Sequence, residues 1–141
     1  MTEIQTLICF DFGKIRTGVA VGQTLTGTAT PLGTVYARNG IPDWKLIARY
    51  IDEWKPDALV VGKPLNMDGS GQPMTRASNQ FVKELANRFS QPIYRADERL
   101  SSSEARLRRK DTYNLDPVAA QIILESWLAE NSSSTLKNDT I

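Results

Sequence analysis

Short apolar runs dominate the first third of the chain and longer periodic segments dominate the rest. Residues 6–12 (TLICFDF) form an apolar run rich in strand formers that ends at Gly13. Residues 17–23 (TGVAVGQ) and 28–37 (TATPLGTVYA) follow, separated by the turn-prone Gly27. Three short strands with tight connections predict an antiparallel meander. Pro31 and Gly33 mark the third as an edge or bulged strand. The period then changes. Across residues 42–55 (PDWKLIARYIDEWK), Trp44, Ile47, Tyr50, Ile51 and Trp54 recur at three and four, which predicts an amphipathic helix stopped by Pro56. Residues 57–62 (DALVVG) read as a buried parallel strand. The Pro- and Gly-rich residues 63–74 read as a loop. Residues 75–90 form a second helix with Phe81, Leu85 and Phe89 on one stripe, and residues 92–97 (PIYRAD) a fifth strand. Ser101 with Glu104 makes a capping box that opens a short basic helix. Asp116, as N-cap, and Pro117 open the last helix, whose stripe of Ile122, Ile123, Leu124, Trp127 and Leu128 is core.

The order of elements predicts a mixed α/β fold. Its five-stranded sheet has three antiparallel meander strands and then parallel strands, with helices on both faces. Residues 1–130 read as a single domain, and the polar residues 131–141 (NSSSTLKNDTI) as a disordered tail. Trp44, Trp54 and Cys9 are expected in the core or in helix–sheet contacts.

Composition narrows the chemistry. The 141 residues include 17 basic and 16 acidic residues, one cysteine and no histidine. No Ser-His-Asp or Cys-His relay can be built, and a Cys/His zinc site has too few ligands. The remaining titrating groups are carboxylates, lysines, tyrosines and one thiol. They suit a hard, oxygen-liganded cation such as Mg²⁺ or Mn²⁺. A single cysteine forms no internal disulfide, which fits a reducing interior. The start MTEIQTLICFDFG lacks the basic segment and apolar stretch of a signal peptide, and no apolar run reaches membrane-spanning length. The expectation is a cytoplasmic protein without a membrane partner. The net charge of +1 means that any polyanion site must arise from local clustering.

Three acidic positions stand out. Asp11 lies inside the first strand between Phe10 and Phe12, where a carboxylate is costly unless paired; capping the turn at Gly13 or pairing with Arg16 would be sufficient local reasons. Glu98 follows the fifth strand beside Asp97, and alternation alone does not choose between them. Asp116 has an ordinary role as a helix start. The three gain meaning together, because the first strand should lie mid-sheet, with the later strands and the last helix converging beside it. Three carboxylates at close quarters need cations, and a divalent pair supplies what phosphodiester hydrolysis requires. In DFGKIRTG, Gly13 and Gly18 permit close backbone approach to a phosphate. A tight hairpin explains them equally, and the Asp-x-Gly-x₄-Gly spacing also occurs in ATP-binding kinase-like proteins. Segment 95–110 (RADERLSSSEARLRRK) holds six basic and three acidic residues and is the one clearly basic stretch. Its Arg106, Arg109 and Lys110 are suited to a polyanionic backbone.

Taken together, DFGKIRTGVAVG, VVGKPLNMDGS, DERLSSSEAR and DPVAAQIILESWL resemble the four signature segments of the YqgF family, in the same order and across residues 7–129. The resemblance implies an RNase H-like fold and a nuclease that matures the 5′ end of 16S ribosomal RNA, with Holliday-junction resolution as the older assignment. It matches Asp11, Glu98 and Asp116 to the family's acidic metal-binding positions and so selects Glu98 over Asp97. Three features depart from the pattern. Pro117 replaces a small polar residue, the preceding linker DTYNL is short and lacks glycine, and Lys63 replaces an apolar residue.

The expectation is therefore a Mg²⁺-dependent (or Mn²⁺-dependent) endonuclease acting on structured nucleic acid, giving 5′-phosphate and 3′-hydroxyl products. Asp11, Glu98 and Asp116 would be catalytic metal ligands. Arg16, Lys63, Arg99, Arg106 and Arg109 would contact the nucleic-acid backbone. Expected partners are precursor ribosomal RNA, branched DNA and ribosomal particles, with the chain a monomer or homodimer. Two rival readings are an ATP-binding kinase-like domain, for which the chain supplies only one of two required lobes, and a non-catalytic RNA- or ribosome-binding module of the same fold.

Overall fold

Strand β1 (Thr6–Asp11) runs through the middle of the sheet with neighbours on both sides. The computed structural model describes residues 3–100 and 116–131. On one side β1 pairs antiparallel with β2 (Arg16–Gln23), which pairs antiparallel with β3 (Thr28–Arg38). On the other side β1 pairs parallel with β5 (Ala58–Lys63), which pairs parallel with β6 (Ile93–Asp97). The meander and the two parallel additions are those expected from the sequence.

A sixth strand was not expected. The two-residue β4 (Ile41–Pro42) folds back on Ala37 and Arg38, giving the order β4-β3-β2-β1-β5-β6. Its turn is Asn39-Gly40, both at positive φ (55° and 77°), the dipeptide that such hairpin turns favour. Two residues are too few for alternation to reveal. The irregularity anticipated in β3 falls at Leu32. The β2–β3 register slips between Val19 (opposite Gly33) and Ala20 (opposite Pro31), so Pro31 sits beside a bulge where its missing N–H is tolerated.

Helix α1 (Trp44–Trp54) starts where Asp43 caps it, its carboxylate accepting from the Leu46 N–H at 3.2 Å. Pro42 therefore belongs to β4. The helix ends at Lys55 in the left-handed conformation, just before Pro56. Helix α2 (Pro73–Arg88) begins two residues earlier than its apolar stripe suggests. The Thr75 hydroxyl accepts from the Gln72 N–H at 3.0 Å, and Pro73 sits in the first turn, where an N–H has no helical partner. A 3₁₀ turn (Glu98–Leu100) follows β6, and α3 (Asp116–Glu130) takes Asp116 as its first residue. The basic helix expected after Ser101, with Arg106 and Arg109, lies outside the described residues, as do residues 132–141 of the polar tail.

Alternation along β1 divides the core in two. Leu7 and Cys9 face α3 with Ala20, Val60 and Ala96, against Ala120, Ile123 and Leu124. Ile8 and Phe10 face the other way with Val19, Val35 and Val61, against Ile47 of α1 and Phe81 and Leu85 of α2. Trp44 joins this second core, stacking on Phe81 with centroids 5.5 Å apart. Trp54, expected in the core, is among the exposed side chains, because it occupies the last turn of α1 beyond the sheet-facing stripe of Ile47 and Ile51. No helix among the described residues is long and apolar enough to cross a membrane.

Candidate active site

The face of the sheet under α3 carries a row of very small residues. Asp11 stands directly opposite Gly18 of β2, so the two share a face. Phe10 pairs with Val61 on the β5 side, which sets Asp11 beside Gly62, and Gly62 pairs with Ala96 of β6. A Cβ on Gly18 would overlap the backbone carbonyl of Asp116. A Cβ on Gly62 would come within 2.6 Å of Glu98 Oε2. The two glycines flanking Asp11 are thus seats: one receives the start of α3, the other the side chain of Glu98. Neighbouring strands lie about 4.8 Å apart, so residues distant in sequence meet on one strip.

The roles of Asp97 and Glu98 separate sharply. Asp97 binds Arg99, with Nε 3.0 Å from Oδ1 and Nη2 2.6 Å from Oδ2, and its Oδ1 also accepts the Arg99 backbone N–H. Those bonds hold the Asp97 carboxyl below the usual carboxylate range and push the Arg99 guanidinium up. Glu98 is instead buried over Gly62, turned towards the Asp11 strip. Between them the two acids give the Cys9 thiol a second reason to stay protonated. Burial raises it first, and the charges of Asp11 and Glu98 raise it further. Cys9 itself is fully buried, as expected.

Among the basic residues expected to meet nucleic acid, Arg16 forms an ion pair with Asp116 (Nε–Oδ2 2.9 Å) at the mouth of the strip. Arg99 is committed to Asp97 and, through Nη1, to the Met67 carbonyl at 3.2 Å. Lys63 ends β5 in the register position opposite Asp97. Gly18 serves a close approach by the α3 backbone, where a phosphate had been expected. Gly13 is held in place by its tight packing on the Arg16 carbonyl, and its φ is not positive.

Sequence reasoning missed the support beneath this strip. Arg95 looks like one more charge in a solvated cluster. It is half-buried and donates to the carbonyls of Val61 (3.2 Å) and Gly62 (3.1 Å) and to Ser78 Oγ (2.6 Å). Ser78 Oγ in turn donates to the Gly62 carbonyl at 2.9 Å. This network fixes the peptide under Glu98. Burial lowers the Arg95 pKa, while the charge of Glu98 raises it. The available signal was an arginine and a serine placed at positions that strand and helix periodicity assign to the interior.

All the candidate ligands are carboxylates, the donor chemistry of a hard divalent cation. Among the described residues, no three Asp, Glu, Cys or His side chains already stand together as a ligand set. The Asp116 backbone lies against Gly18 and the Glu98 side chain against Gly62, the two glycines that flank Asp11, while the Asp116 carboxylate is held by Arg16.

A family model described as "RuvX: Holliday junction resolvase" matches residues 5–130. The chain belongs to the RuvX family. Its resemblance to YqgF proteins and the RuvX match identify the same group. A protein of Pseudomonas putida named "Putative pre-16S rRNA nuclease" is 42% identical over 141 residues, covering 94% of this chain and 100% of the relative. One of the same name from Hydrogenovibrio crunogenus is 48% identical over 123 residues, covering 86% and 92%. The fold is shared with solved resolvases. Thermus thermophilus RuvC in complex with a Holliday junction substrate superimposes with a TM-score of 0.53 at 14% identity, covering 89% of this chain and 95% of that one. The fowlpox virus Holliday junction resolvase gives 0.55 at 14%, covering 89% and 99%. The RNase H-like fold expected from the four segments is therefore the observed one, and membership of the RuvX family places the chain among nucleases.

Proposed function

We propose that this chain is a divalent-cation-dependent endonuclease that hydrolyses phosphodiester bonds of structured nucleic acid and processes the 5′ end of precursor 16S ribosomal RNA. The observation that carries the reading is the strip on which Asp11, seated between Gly18 and Gly62, receives the start of α3 on one side and Glu98 on the other. Relatives named as pre-16S rRNA nucleases favour the RNA substrate. The family's description and the resolvase neighbours favour a four-way DNA junction as the second reading.

Asp11, Glu98 and Asp116 are the residues that would hold Mg²⁺ or Mn²⁺. Such a cation supplies an acidified water and neutralises charge on the phosphoryl and leaving oxygens. The chain's own contribution is positional. Buried β1 fixes Asp11, the Arg95–Ser78 network fixes the peptide beneath Glu98, and the α3 start docks on Gly18. Arg16 competes with a cation for the Asp116 carboxylate and, once released, is free to meet a phosphate. Lys63, Arg99, Arg106 and Arg109 are the further backbone contacts in this reading. The products are a 5′-phosphate and a 3′-hydroxyl. Residues 1–130 act as one nuclease unit in the cytoplasm, with ribosomal particles as a partner.

The test is cleavage of precursor 16S rRNA and of a four-way DNA junction in parallel, with Mg²⁺ or with EDTA. Cation-dependent cutting of the RNA that Asp11→Asn abolishes, with binding retained, is the expected result. Cutting of the junction alone would transfer the assignment to the second reading. Asp11→Asn protein that binds RNA and still supports ribosome maturation would establish a non-catalytic module.

A further inference from the structure

On the nuclease reading, we propose that Tyr36 is a stacking platform for an unpaired nucleotide beside the cleavage site, flanked by Arg16 and Arg38 as phosphate contacts. The substrate would thus present single-stranded residues along β3.

Tyr36 lies directly opposite Arg16, so the two side chains leave the same face of the sheet. That face is the one on which Arg16 reaches Asp116 and Asp116 covers Gly18. Helix α3 starts over Gly18 and runs towards Gly22, where the Leu124 side chain fills the space above the glycine. Arg16 and Tyr36 therefore lie past the helix start. Val35, the neighbour of Tyr36, points into the opposite core at 1% exposure, whereas Tyr36 is 59% exposed. Arg38 follows two residues along the same face and stands opposite exposed Ile41 across the β3–β4 hairpin. An open groove of about 700 Å³ runs beside them, lined by Tyr36, Arg38, Asn39, Ile41 and Asp43. Asp43, its acidic member, is spent on capping α1.

An aromatic ring presented from a strand between two guanidinium groups is the combination that holds single-stranded nucleic acid. The ring stacks on any base, and the cations follow the backbone. An exposed tyrosine on an outer strand contributes little to folding, and its neighbour Val35 already fills the core beneath it. A duplex keeps its bases stacked inside and offers Tyr36 no face, so the ring selects unpaired residues.

The experiment measures binding of the full chain, by fluorescence anisotropy, to a labelled oligouridylate, to an abasic ribose-phosphate oligomer of equal length and charge, and to an RNA duplex. Stacking on one base is worth about 1–3 kcal/mol by alanine substitution, so Tyr36→Ala should weaken oligouridylate binding about tenfold. Tyr36→Phe and Tyr36→Trp should stay within about twofold of the parent, because the ring and not the hydroxyl does the stacking. The abasic oligomer and the duplex should not distinguish any of these proteins. Equal losses on all three probes, equal losses in Tyr36→Ala and Tyr36→Phe, or no loss at all would overturn the proposal. So would a concentration-dependent dimer abolished by Tyr36→Ala, which would make the ring a contact between copies of the chain. The binding readout needs no cleavage. If the chain cuts nothing while Tyr36 discriminates oligouridylate from its abasic counterpart, the nuclease reading fails and the stacking platform survives.

Discussion

The two faces of the sheet are built from different materials. Under α1 and α2 the sheet places Phe10, Val19, Val35 and Val61, and α2 adds Phe81 and Leu85, all of them apolar side chains that fill space. Phe81 alone meets three rings, Phe10, Phe12 and Trp44, within 5.7 Å. Under α3 the sheet offers Gly18, Ala20, Gly22, Gly62 and Ala96, and the helix backbone or a carboxylate side chain occupies the space a larger residue would take. One face gains stability from apolar burial. The other forgoes some of that burial and lets the start of α3 and the Glu98 side chain approach the sheet closely. Substitutions should therefore separate: stability without chemistry on the first face, chemistry ahead of stability on the second.

Asp11→Asn is the largest expected effect. It should lower the rate of RNA cleavage about 10³-fold or more, the loss of several kcal/mol of electrostatic stabilisation, while thermal unfolding stays near the parent value. A cleavage assay beside a melting curve checks both halves. On the opposite face, Phe81→Ala should cost about 3–5 kcal/mol in urea unfolding by emptying the aromatic stack, with cleavage by the folded fraction unchanged. If Phe81→Ala abolished turnover in protein still shown to be folded, the division between the faces would be wrong.

Gly18→Ala comes next. The new Cβ meets backbone, which cannot swing aside, so α3 must shift at a cost of about 1–3 kcal/mol, and activity should be lost with it. Gly62→Ala is gentler, because what it meets is the movable end of Glu98. Cleavage should fall about tenfold while the unfolding midpoint barely moves, a split that kinetics and urea titration resolve together. The smallest effect concerns Cys9, whose folded thiol is raised above its ordinary value of 9.0. The unfolded chain releases that proton first, so stability is intact below pH 9 and falls as pH rises above it, by at most about 1.4 kcal/mol per pH unit. Urea unfolding of the parent and of Cys9→Ala from about pH 8 to about pH 10 should show a steeper alkaline decline in the parent, since Tyr50, also raised by burial, contributes to both near pH 10.

Much of the architecture was legible because it rests on local periodicity. The alternation in β1, the three-and-four spacing in α1 and the Asp116-Pro117 start of α3 each carry their own signal. β4 escaped because a two-residue strand has no period, although Asn39-Gly40 announced its turn. Of the site, Asp11 was legible as a misplaced charge in an apolar strand. Arg95 was not, since its two carbonyl partners lie in another strand and its serine in a helix.

The order of residues along the chain determined which segments become strands or helices, and it supplied acids without histidine, which closed histidine-based relays and suited an oxygen-liganded cation. That Asp97 would be spent on Arg99, that Glu98 would fold over Gly62, and that Asp116 would land on Gly18 were decided by strand register and by the docking of α3. These are contacts between elements, and their free energy depends on which backbone atoms come within a few ångströms after folding, a distance that no single segment of sequence contains.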